Sequence, residues 1–104
     1  MTRFVHPAKE DITLSGVLGA LADPMRLQIL KKLLEHRDAS LSCLSAAPCP
    51  TMAKSTLSHH FRILREAGLI RTTKQGVENL NRVRLEELNE RFPGLLKAIL
   101  KFQP

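Results

Sequence analysis

Apolar residues recur along this chain at the three-and-four spacing of helices, interrupted at intervals by turn signals. From about Asp11, Leu14, Val17, Leu18 and Leu21 fall on one helical stripe, with Gly16 and Gly19 off it. Asp23-Pro24 reads as an N-cap followed by proline at the first helical position. The helix it opens runs to about His36, with Leu27, Ile29, Leu30, Leu33 and Leu34 apolar and Arg26, Lys31, Lys32 and Glu35 wet. A helix apolar over nearly half its surface suits the centre of a small core. After a turn at Arg37-Asp38-Ala39-Ser40, the stretch Leu41 to Ala47 predicts a short third helix, ended by Pro48-Cys49-Pro50. A fourth helix spans 54–67 and closes on Gly68, a good C-cap. Beyond it the period changes. Thr and branched residues on both sides of Gln75-Gly76 predict a hairpin with strands near 70–75 and 79–84. A last helical region from Glu86 to about Phe102 should kink or split at Pro93-Gly94. Residues 1–10, broken by Pro7, predict a flexible arm, and 11–104 a single domain. The fold class is mainly α with a small β-hairpin.

The fourth helix organises the rest. On a helical wheel Leu57, Phe61 and Leu64 lie within about 60° of one another, with His60 and Ala67 at the edge of that stripe. Ser55, Ser58, His59 and Arg62 gather on the opposite side. Short hydroxyls let a backbone come close to a surface, while His and Arg reach further, to base edges or phosphates. A merely solvated face would carry several Glu and Lys, and this helix has one Glu, near its C-terminal end. A short helix, a break and a helix with this outer face make a helix-turn-helix whose last member is built to lie in a DNA groove. The hairpin tip, with Arg71, Lys74 and Gln75 nearby, is placed to touch phosphates beside it.

Charge sharpens the picture. The chain of 104 residues carries a net charge of +6, which suits a polyanionic partner. Between positions 54 and 84 lie seven cations (Lys54, Arg62, Arg65, Arg71, Lys74, Arg82, Arg84) against two anions (Glu66, Glu78). Aromatic content of 4%, with no Trp or Tyr, argues against single-strand recognition by stacking. A domain this small gains from oligomerisation. Leu95, Leu96, Ile99 and Leu100 at one end, and Leu14, Val17, Leu18 and Leu21 at the other, are more apolar surface than its ends require. Together they predict a two-fold homodimer interface. The N-terminus lacks the apolar core of a signal peptide, no run reaches membrane-span length, and two cysteines are too few for a secreted scaffold. The expectation is a cytoplasmic protein with no membrane partner.

The motifs Ala22-Asp23-Pro24-Met25-Arg26-Leu27, Ser55-Thr56-Leu57-Ser58-His59-His60-Phe61 and Leu64-Arg65-Glu66-Ala67-Gly68-Leu69-Ile70 resemble those of the ArsR-type (arsenic repressor-like) winged-helix transcriptional regulators. The resemblance covers roughly residues 12 to 100 in order. It implies a homodimer whose fourth helix enters the major groove and whose hairpin is the wing. Family DNA contacts, carried over by position, fall on Lys54, Ser55, Ser58 and His59; Arg62 is added by the wheel, and Thr56 is counted with the DNA-binding set. Ala53 departs from the family's capping serine and leaves Thr51 or Ser55 as substitute caps.

The family's sensing sites carry over poorly. Its arsenic-type site needs closely spaced cysteines, and here Cys43 and Cys49 stand six residues apart with the second between two prolines. Its zinc-type site pairs Asp and His on the last helix, and no histidine follows His60. Neither a metal nor a cofactor is expected. Cys43 and Cys49 are either a packing thiol and an incidental one, or a reversible redox pair that closes only if the chain bends at Pro48. His60 reads as a hydrogen-bonded packing residue, while His6 and His36 have no visible partners. The function expected is a sequence-specific regulator, a dimeric repressor reading a near-palindromic operator. The alternatives are a winged-helix protein-interaction module and a thiol-responsive repressor. No nucleophile-base set, phosphate loop or paired carboxylate marks an enzyme.

Overall fold

A computed structural model describes residues 4–102. Five helices and a small antiparallel sheet follow in the order α1 (Leu14–Ala20), α2 (Pro24–Glu35), β1 (Leu41–Ser42), α3 (Lys54–Glu66), β2 (Ile70–Gln75), β3 (Glu78–Val83), α4 (Leu85–Arg91) and α5 (Leu95–Lys101). Local chemistry sets the boundaries. The Thr13 hydroxyl accepts from the Gly16 amide at 3.0 Å to start α1. The Asp23 carboxylate accepts from the Met25 and Arg26 amides at 2.7 and 3.3 Å, with Pro24 at the first position of α2. Partial burial pushes the Asp23 carboxyl up, but these amides and the Arg26 charge outweigh it and hold its pKa below the usual range.

The core forms where these elements meet. Ile29, Leu30 and Leu33 of α2 pack with Leu57, Phe61 and Leu64 of α3, closed over by Val17, Leu69, Ile70 and Leu88. Helix α3 ends in a Schellman motif: Leu69 N donates to Leu64 O at 3.0 Å and Gly68 N to Arg65 O at 3.1 Å. Gly68 takes φ +85, and a β-carbon there would lie 2.5 Å from Ile12 Cγ1. Its bare α-carbon lets the segment before α1 pack against the exit from α3.

The stretch 41–47 corrects one expectation. The short third helix predicted there shrinks to a single turn, in which Ala46 N donates to Ser42 O at 3.1 Å. Leu41 and Ser42 instead pair with Asn81 and Leu80, so the expected two-stranded ribbon is a three-stranded sheet in the order β1-β3-β2. Seven residues are too few to hold a helix by themselves. The Ser42 hydroxyl also draws the chain into a turn by accepting from the Ser45 amide at 3.2 Å, and pairing with β1 covers an edge of β3 that would otherwise lie open. The helix expected to face DNA is therefore the third helix of the fold, α3. The hairpin runs as predicted, with β2 and β3 in register from Ile70↔Val83 to Gln75↔Glu78 around Gly76, which takes φ +63. The last helical region is split at Pro93-Gly94 into α4 and α5.

Two further expectations change. Residues 4–10 of the predicted flexible arm lie against the domain, and a single 3-10 turn forms at Lys9–Asp11. Positions 1–3 of that arm, like 103–104 at the other end, fall outside the described residues. Of the residues assigned to the dimer interface, Val17, Leu21 and Leu96 fill the core of the single chain instead, at 5% exposure or less. A wheel shows which residues share a stripe, not which neighbour covers it. Leu14 and Leu18 remain nearly half exposed, Phe102 is 79% exposed, and Leu95, Ile99 and Leu100 are half-buried. Among the described residues no helix is long and apolar enough to cross a membrane.

Gly68→Ala should cost about 2–4 kcal/mol, since it combines a left-handed backbone with overpacking against Ile12. Thermal unfolding of the variant checks this, and an unchanged midpoint would show that the α3 exit tolerates a side chain.

Candidate nucleic-acid interface

Helix α3 keeps the two faces its sequence pattern predicts. Leu57, His60, Phe61 and Leu64 are buried, while Lys54, Ser55, Thr56, Ser58, His59 and Arg62 are all exposed. Arg62 Nη2 lies 3.4 Å from His59 Nδ1, so these two side chains of the outer face support one another. His60, on the inner side, meets Arg26 Nη1 through Nδ1 at 3.3 Å and is the packing histidine expected. Ala53 occupies the N-cap position with no side-chain cap bond, and neither Thr51 nor Ser55 takes over. The Thr51 hydroxyl lies 3.0 Å from Cys49 Sγ instead, and that contact lowers the Cys49 thiol pKa.

The hairpin carries Lys74 and Gln75 exposed at its tip beside Val77, which is 97% exposed. Arg71, expected in that group, does not share the tip. It sits at the base of the hairpin, with Nη2 3.6 Å from Glu87 Oε1. Glu87 also takes a bidentate pair from Arg84, at 2.9 and 2.8 Å. These guanidiniums, Arg84 foremost, hold the Glu87 carboxyl below the usual carboxylate range. A cleft of about 500 Å3 opens here, lined by Arg37, Asp38, Arg82 and Glu86 together with Arg71, Arg84 and Glu87.

A buried polar network ties helix to hairpin. Arg65 Nη1 of α3 donates to Thr72 Oγ1 of β2 at 3.1 Å, and Thr72 Oγ1 donates to Asn81 Oδ1 of β3 at 2.7 Å. Asn81 has no solvent exposure. Its Nδ2 donates to Leu41 O at 3.1 Å and to Cys43 Sγ at 3.4 Å. The two cysteines are free thiols with separate partners. From the N-terminal side, Phe4 lies under the Arg65 guanidinium at 4.4 Å, and His6 Nε2 accepts from the Thr72 amide at 3.0 Å. In the sequence Arg65 counts only as one of the cations and His6 as a histidine without a visible partner, while Thr72 and Asn81 attract no notice. A buried Asn in the middle of a strand was the one available signal, since it must find partners.

Helices carrying an outward polar helix, with a hairpin locked beside that helix, define a winged helix-turn-helix domain. Comparison with known proteins agrees. A helix-turn-helix domain model matches residues 21–73. The HTH-type transcriptional regulator YceK of Bacillus subtilis is 31% identical over 90 residues, 86% of this chain and 89% of that protein. The solved structure of an ArsR-like transcriptional regulator from Rhodococcus sp. RHA1 superimposes with a TM-score of 0.62 at 28% identity, covering 86% of this chain and 81% of that one. A homodimeric winged helix-turn-helix DNA-binding domain from Mycobacterium bovis, a possible ArsR-family regulator, gives a TM-score of 0.65 at 25% identity over 85% of this chain and 78% of that one. The chain belongs to the helix-turn-helix family of DNA-binding transcriptional regulators, in its ArsR-type winged branch.

Asn81→Ala should lower stability by about 1–3 kcal/mol, because it leaves Thr72 Oγ1 and Leu41 O without their buried partner. Amide exchange in β2 and β3 should quicken beyond that in α2, and uniform quickening would show that the network does not single out the hairpin.

Proposed function

We propose that the protein represses transcription as a two-fold homodimer on a near-palindromic operator, with α3 in the major groove and the β2–β3 hairpin as wing. The observation that carries this reading is the outward face of α3, where Ser55, Ser58, His59 and Arg62 stand exposed together and no acid lies among them. Two such helices, related by the dimer axis, would address half-sites about 34 Å apart. Ser55, Ser58 and His59 discriminate bases; Lys54, Thr56 and Arg62 address the adjoining backbone and groove edge. Lys74 and Gln75 reach phosphates from the wing tip, while Arg71, held by Glu87 at the wing's base, is left a secondary contact. Support for the dimer comes from the apolar side chains left uncovered on α1 and around α5, namely Leu14, Leu18 and Phe102 with Leu95, Ile99 and Leu100 beside them, and from the homodimeric Mycobacterium bovis domain. A regulator of this kind works in the cytoplasm.

Gel shifts on a duplex from upstream of its own gene, against a scrambled duplex of the same length, test the reading. Lys74→Ala should weaken both duplexes alike and flatten the dependence of log K on log salt by about one unit. His59→Ala should lose about 1–3 kcal/mol on the operator and much less on scrambled DNA; equal losses on the two would remove His59 from base readout. Leu18→Glu, at a position 47% exposed and so tolerable in the single chain, should sediment as a monomer. A dimer that survives this change would place the interface elsewhere.

A further inference from the structure

The contacts of residues 4–7 lie outside the DNA-facing surface, yet they converge on the seam between α3 and the wing. β2 is an edge strand of the sheet, and its Thr72 N–H points away from β3 to His6 Nε2 at 3.0 Å. The hydroxyl of the same Thr72 is held from the other side by Arg65 of α3 at 3.1 Å. Phe4 backs that guanidinium at 4.4 Å, and Pro7 O accepts from Arg84 Nη1 at 2.8 Å where β3 passes into α4. A segment of four residues thus touches the recognition helix, the first wing strand and the end of the second.

We propose that residues 4–7 are a strap that positions the wing against α3, and that neutral His6 is the positioning residue that closes it, so that operator binding acquires a pH dependence set at His6. The proposal rests on the DNA-binding reading for its consequence, but not for the strap itself. An imidazole ring can accept the Thr72 N–H only while Nε2 keeps its lone pair; the imidazolium has two donors and no acceptor. The charges around the ring make protonation still less favourable. Arg65 faces it from α3, Arg71 from β2 and Arg84 from the β3–α4 junction. Glu87 of α4 is already bonded to Arg84 and close to Arg71, and Lys9 further along the arm is paired with Glu90. Burial first, and then these three guanidiniums, hold the His6 pKa below the ordinary value of 6.5. The folded state therefore favours the neutral ring. The strap is fully closed above pH 6.5 and opens as pH falls through the lowered value.

Fluorescence anisotropy on the operator duplex between pH 7.5 and 5.0, with wild type, His6→Gln and His6→Ala, tests this. Gln keeps an acceptor near the Nε2 position and does not titrate, and every ionisable group other than residue 6 is common to all three proteins, so its effect cancels in their ratios. At pH 7.5, His6→Gln should bind within about two-fold of wild type and His6→Ala roughly five-fold more weakly, the worth of one hydrogen bond. As pH falls through the His6 midpoint, wild type should drop toward the level of His6→Ala, while His6→Gln keeps its advantage. Ratios that stay constant while pH crosses the midpoint of the His6 ring, or a His6→Ala protein equal to wild type at pH 7.5, would overturn the proposal. A second measurement needs neither variant nor DNA: in wild-type protein the His6 ring protons should titrate with a midpoint below 6.5, and the Thr72 amide should shift with the same midpoint. A midpoint at or above that value, or an unmoved Thr72 amide, overturns the strap. If no protein of the three binds a duplex at any pH, the DNA reading fails and this titration alone decides the strap.

Discussion

One buried asparagine fixes how α3 and the wing sit against each other. Asn81 sits without solvent in β3 and satisfies its amide through Thr72 of β2 on one side and through Leu41 and Cys43 of the β1 stretch on the other. Since Thr72 is in turn held by Arg65, the orientation of α3 and the tilt of the wing are set by one continuous chain of hydrogen bonds. Apolar packing alone would hold these elements together but would allow several registers. A buried polar group that is satisfied in only one of them removes the others, because an unmet partner inside a protein costs more than a met one stabilises.

The electrostatics divide along the same line. Arg84 is 5% exposed and bonded to Glu87, and Arg65 is partly buried with its guanidinium over Phe4, so these cations serve the fold. Lys54, Arg62 and Lys74 stand exposed and take part in no ion pair among the described residues. Net charge by itself would not separate these groups. The positive region legible in the sequence contains both, and only burial shows which charges remain for a polyanion.

The helices α1, α2 and α3 were legible because each shows its period and, for α2, its caps: Asp23-Pro24 opens that helix, and Ala67-Gly68 closes α3, within a few residues of where the pattern placed them. The hairpin was legible from its change of period around Gly76. What stayed hidden depends on partners distant in the chain. Leu41 and Ser42 become a strand because residues 80 and 81 offer them one, and no local pattern at position 41 records that. His6 finds Thr72 across 66 positions of sequence. Val17 and Leu21 share a stripe with Leu14 and Leu18, and only the packed core divides them into filled and uncovered sites. On the outer face of α3 a helical wheel suffices, since exposure there follows from the burial of the opposite side.

Helix α5 shows how the uncovered apolar surface is maintained. Its seven residues are too few to stay helical alone, so it holds its form only while Leu96 is seated in the core. In the proposed dimer, that surface exists only as long as the chain beneath it stays folded, and a second chain covering it would hold the fold in turn. Cohesion then becomes a matter of mass action: dilution would loosen the terminal helix along with the pairing, and the midpoint of melting would climb with protein concentration.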